Sequence, residues 1–229
     1  MFFAAIFASV LALSGAVPDK DPDKGSGPEA SAVCQQTPSA CRLVPPFSLT
    51  FNGDSHPIDL GAPQPWIEDG RLILFPGESV LVAIKPDGGL RVVSSQPADA
   101  VLDDAMTTKM AAVFAPGGTG ATATEADVVA GQLHLKQETP SQAIRVTFRQ
   151  AAGNDAMLLT IQNGYGGRLS YNAGMLSPSA AGLQWRVTSV CTVRPDIYGM
   201  EHWPHPIVSV SLGAFSVDPN ASLDQILCR

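Results

Sequence analysis

Charged residues are few: Asp, Glu, Lys and Arg make up 15% of the 229 residues. Basic residues are the scarcer sign, 14 against 21 acidic, for a net charge of −7. That balance excludes nucleic acid and anionic membrane surfaces as natural partners, since both demand a basic face. Catalytic signatures are also missing. Pro116-Gly117-Gly118-Thr119-Gly120 lacks the Gly-Lys-Ser/Thr ending that cradles phosphate. The cysteines do not form a double Cys-x-x-Cys array, which excludes a zinc ribbon. Beyond the first residues no apolar run is long enough to span a bilayer as a helix.

What is present begins with Phe2 to Leu13, an apolar run broken only by Ser9. It is too short for a stable transmembrane helix and suits the core of a signal peptide. Ser14-Gly15-Ala16 supplies small residues for cleavage, although no Lys or Arg precedes the core. No Cys follows Ala16, so a lipoprotein anchor is not indicated. We read residues 1–16 as a signal peptide, with an N-terminal membrane anchor as the alternative. Residues 17–33 read as a disordered spacer and 34–229 as the folded domain, periplasmic or secreted, with no membrane span after cleavage. Export makes disulfides the default for Cys34, Cys41, Cys191 and Cys228. Three pairings exist, and Cys34–Cys41 with Cys191–Cys228 is the favoured one.

Strand signals dominate the rest. Phe47, Leu49 and Phe51 alternate with polar residues, as do Ile144, Val146 and Phe148. Arg71 to Phe75 and Ser79 to Lys85 flank the turn Pro76-Gly77-Glu78, and Asp87-Gly88-Gly89 leads into Leu90 to Val93. Leu133 and Leu135 alternate likewise. Met157 to Ile161 runs into Asn163-Gly164-Tyr165-Gly166-Gly167, which reads as a hairpin loop before Leu169 and Tyr171. Trp185 to Val193 and Ile207 to Val217 add two strands. In the latter, Val208, Val210 and Leu212 face inward and Ser209 and Ser211 outward. The one candidate helix is Ala98 to Phe114. The expected fold is mostly β, an antiparallel Ig-like β-sandwich with at most one short helix. The stretch 115–127 reads as a long loop inside one sandwich, with a domain boundary there as the alternative.

Each remaining motif has a structural reading beside its chemical one. Gly53-Asp54-Ser55 resembles the nucleophile block of GDS-type esterases. An unassisted serine is a poor nucleophile, and no Asp-x-x-His pair follows near the C-terminus, so a turn is the simpler reading. Glu201-His202-Trp203-Pro204-His205-Pro206 holds two of the four histidines. His202 and His205 could bind copper or zinc, with a third ligand from His56, His134 or Glu201. In an extended Pro-rich segment, however, such residues stand about 9 Å apart, too far for one ion. His134 lies on the polar face of its strand. Asn220-Ala221-Ser222 fits the N-glycosylation pattern.

Three segments carry a resemblance. They are Asn163 to Tyr171, Thr188-Ser189-Val190-Cys191, and Glu201 to Ile207. They look like motifs of uncharacterised exported bacterial proteins, and the likeness is best over residues 140–217. It implies a periplasmic setting and a shared fold, and assigns no catalytic residue. The expectation is a protein that is not an enzyme, needs no cofactor, and binds a protein or envelope component. Its loops would do so, with Tyr165, Tyr198 and Trp203 as anchors. The alternatives are a periplasmic copper or zinc protein using His202 and His205, and an inhibitor of exported hydrolases. The oligomeric state is left open.

Overall fold

The computed structural model describes residues 31–102, 104, 139–151, 155–179, 182–195, 198–222 and 227–228. The chain enters through a short helix, α1 (Ala32–Gln36), which straddles the expected edge of the spacer at residue 33. A 3-10 turn (Pro38–Ala40) leads to β1 (Cys41–Arg42), which pairs with β4 (Gln64–Pro65). Between them stands the hairpin β2 (Phe47–Phe51) and β3 (Asp54–Ile58). Its turn is Asn52-Gly53, both at positive φ (51° and 84°), the pairing that suits a two-residue hairpin.

Two five-stranded antiparallel sheets form the body. The first has the order β13-β10-β9-β7-β8, built from β7 (Glu78–Ile84), β8 (Leu90–Pro97), β9 (Ile144–Gln150), β10 (Met157–Asn163) and β13 (Tyr198–Trp203). The second has the order β12-β11-β14-β6-β5, built from β5 (Ile67–Glu68), β6 (Arg71–Leu74), β11 (Arg168–Ser179), β12 (Gly182–Thr188) and β14 (Ser209–Asp218). Inward rows from both meet in one core. Val80, Val82, Ile144, Val146, Phe148, Met157 and Leu159 come from the first sheet, and Leu72, Leu74, Leu169, Val210 and Leu212 from the second. Each such side chain contributes about 1.5–3 kcal/mol on burial. The fold is therefore an antiparallel β-sandwich, and both sheets draw strands from either side of residues 105–138.

Two connections differ from the sequence reading. β6 and β7 are adjacent in sequence but lie in different sheets, so Pro76-Gly77 is a crossing. Gly77 N donates to Phe148 O (2.9 Å), and Phe75 N donates to the Glu78 carboxylate (2.8 Å). The loop from Asn163 to Gly167 likewise joins β10 to β11 across the sandwich and is not a hairpin. Its buried Asn163 donates from Nδ2 to Gly167 O (2.8 Å) and Val193 O (3.0 Å), and accepts from Tyr165 N (2.9 Å). One side chain thus replaces the backbone partners that a hairpin would have supplied. Of the expected helix, Ala98–Ala100 forms a 3-10 turn. Most of its remainder lies outside the described residues, as do residues 115–127 and His134.

Both disulfides pair as favoured, Cys34–Cys41 and Cys191–Cys228. Such bonds are characteristic of an oxidising compartment. No helix among the described residues is long and apolar enough to cross a membrane. The N-terminal segment is held by Arg42. Its guanidinium forms a bidentate pair with Glu78 (2.8 and 2.6 Å), donates to the carbonyls of Gln64, Pro65 and Ile73, and stacks 3.9 Å over Trp66.

Candidate functional site

The loop residues expected to be anchors are largely committed to the fold. Trp203 faces the core opposite Met157, because strand alternation in β13 sends it inward. It is 7% exposed, meets Phe148 edge-on (6.5 Å), and donates from Nε1 to Thr188 Oγ1 (3.1 Å). It is therefore a core residue rather than a surface anchor. Tyr165 is half-buried and its hydroxyl accepts from Ile84 N (2.9 Å), which pins the arch to β7. Tyr198 opens β13 opposite Gln162, and its side chain lies outside the described residues.

His202 and His205 do not share a face. His202 is on β13 across from Leu158, with its imidazole pushed below its usual pKa by burial. His205 lies beyond the strand, its Nδ1 3.3 Å from Pro206 O. Among the described residues no three His, Cys, Asp or Glu side chains gather where they could hold a metal. Glu201 points inward beside Trp203. Its carboxylate accepts from Cys191 N (3.0 Å) and from Tyr171 Oη (3.3 Å). Burial pushes the Glu201 carboxyl up against the lowering pull of those two bonds, and burial next to Glu201 pushes the Tyr171 hydroxyl up as well. The cluster ties β11, β13 and the Cys191–Cys228 bridge together. Ser55 stands exposed on β3 just past the Asn52-Gly53 turn. Asn220 is exposed in the turn after β14.

The surface that does present itself is the outer face of the second sheet. β12 is an edge strand paired only with β11. Along it Leu183, Trp185 and Val187 point to the same side and are 49%, 53% and 90% exposed. Opposite Val187 lies Gly174, and beyond it Ser211 on β14 and Ile73 on β6. The small Gly174 and Ser211 leave an open groove of about 370 Å3, in the size range of small-ligand sites. Trp185, Arg186 and Val187 line one flank, and Glu68, Asp69 and Arg71 the other. The floor is tight. A Cβ on Gly174 would sit 3.0 Å from Ser211 Oγ and 3.8 Å from Trp185 Cε3. Arg71 is held in place by donating from Nε to Ser211 Oγ (3.1 Å) and from Nη2 to Ser211 O (2.9 Å).

The sequence does alternate Leu183, Trp185 and Val187 with Gln184 and Arg186. Alternation reports two faces without saying which one is the core. The face became visible only once β12 was placed at a sheet edge. No family model, curated protein or solved structure matches the chain.

Proposed function

We propose that this protein is an exported, non-catalytic β-sandwich of the periplasm or extracellular space that binds a protein or envelope component. Its contact surface is the outer face of the second sheet around β12. The observation that carries the reading is the row Leu183, Trp185 and Val187, three large apolar side chains held outward on one edge strand. Full burial of such a side chain contributes about 1.5–3 kcal/mol, of which about half or more is forgone here, and contiguous exposed apolar rows mark interaction surfaces. Trp is also the residue type most enriched among binding hot spots.

The test is co-sedimentation of the purified protein with envelope fractions, membrane vesicles and cell-wall sacculi separately, comparing wild type with Trp185→Ala and Val187→Lys. Retention by one fraction is expected, and both variants should lose most of it. Equal retention of all three proteins would remove this face from the reading.

A further inference from the structure

We propose that the groove beside Trp185 is a glycan site that takes a neutral oligosaccharide laid across the strands. This inference rests on the binding reading above and names the ligand class of the same face. The groove runs from β12 over β11 and β14 to β6, three inter-strand steps. At ~4.8 Å a step that is about 14 Å, room for a few sugar rings.

Its chemistry suits sugars better than peptide. An extended peptide docks on a sheet by taking main-chain hydrogen bonds from a strand edge. Here the floor is mid-sheet backbone already paired to its neighbours on β12, β14 and β6. What remains on offer is side-chain chemistry. The Glu68 and Asp69 carboxylates accept, and the Arg71 guanidinium donates. Sugar hydroxyls do both. The Trp185 indole supplies the apolar complement, because the C–H-bearing face of a pyranose is slightly positive and the face of an aromatic ring is negative. Gly174 keeps the floor at backbone level, so a flat ring can settle beside the indole.

The charge decides between glycan types. The carboxylates of Glu68 and Asp69 outnumber the Arg71 guanidinium beside them, and the whole chain carries −7. A polyanionic glycan would meet a net repulsive field, whereas a neutral one would not.

The experiment is a fluorescence titration of the intact protein with cellohexaose, chitohexaose and mannohexaose, with heparin oligosaccharide as the anionic control. Saturable change in tryptophan emission is expected with at least one neutral hexaose and not with heparin. Trp185→Ala should weaken that binding about tenfold or more, and Trp185→Phe should recover much of it, since the ring face is kept. Affinity electrophoresis supplies a readout for the variants that does not depend on the lost fluorophore, and thermal melts establish that they fold. No response to any neutral hexaose would overturn the glycan assignment, and so would preference for heparin. If envelope retention still depended on Trp185 in that case, the binding face would stand with a different ligand. Loss of both results would remove the face as well.

Discussion

Arg42 and Glu201 are two partly buried ionisable residues with opposite prospects on mutation. Arg42 and Glu78 are 11% and 12% exposed and use nearly every donor and acceptor they have. Arg42→Ala strands the Glu78 carboxylate in the interior, so a loss of about 3–5 kcal/mol is expected in denaturant melts. Arg42→Lys should recover only part of that, because an ammonium cannot form the bidentate fork. Burial of Glu201 works against its charged form. With its folded pKa above the usual 4.5, the folded state binds the proton more tightly than the unfolded chain. Its contribution is fully present below pH 4.5 and is lost as pH rises through the folded value. His202 runs the other way. Its folded pKa is depressed, so its contribution is present above the usual 6.5 and is lost as pH falls through the folded value. Glu201→Gln keeps an oxygen for Cys191 N and Tyr171, and should be at least as stable as wild type at neutral pH. Thermal melts across pH 4 to 8 check this, and a flatter stability profile above pH 4.5 is expected of the variant.

Among the elements, the arch from Asn163 to Gly167 and the edge strand β12 differ most from what the sequence suggests. Strand existence is legible from period-two alternation, and β2, β7, β9 and β10 fall where the pattern places them. Sheet membership is not, because a Gly-rich loop of the same composition can turn back within a sheet or cross to the other. The crossing at Asn163 depends on one amide reaching the carbonyls of Gly167 and Val193. Asn163→Ala leaves those groups unsatisfied in a buried site, and a loss of about 2 kcal/mol is expected by chemical denaturation. The outer face of the first sheet shows the opposite case. Arg145 and Thr147 alternate with apolar neighbours as solvent-facing residues do, yet they are 6% and 1% exposed. Thr147 shares a 2.8 Å hydroxyl contact with Ser79, and burial pushes the Arg145 guanidinium down. Polarity in a strand pattern distinguishes the two faces but does not report what lies over them. The same ambiguity hid Trp203 in the core and Trp185 on the surface.

At the scale of the whole molecule the two disulfides have unequal tasks. Cys34–Cys41 closes a short loop, seven residues apart, and Cys191–Cys228 spans 37. On a chain-entropy model the longer one contributes about 4 kcal/mol and the shorter about 2.5. Reduction should therefore lower the melting temperature, and the Cys191→Ala/Cys228→Ala variant should account for the larger share. Intact mass four hydrogen atoms below the reduced value checks that both are formed. The favoured pairing was legible because each partner was close in sequence or terminal. The candidate binding face was not, since it is assembled from β5, β6, β11, β12 and β14, which are scattered along the chain.

The placement of β14 between β11 and β6 has a consequence for when the molecule can exist at all. Leu74 pairs with Val210, and Leu72 with Leu212. Until β14 has emerged, β5–β6 and β11–β12 are two detached ribbons, and the inward rows of the first sheet have no continuous sheet to close against. Such long-range pairing makes folding slow. A chain cut before Ser209 should give no cooperative melt, although it keeps all but one of the strands among the described residues. A polypeptide whose architecture waits for β14 stays unfolded, and therefore threadable, until that strand has been made.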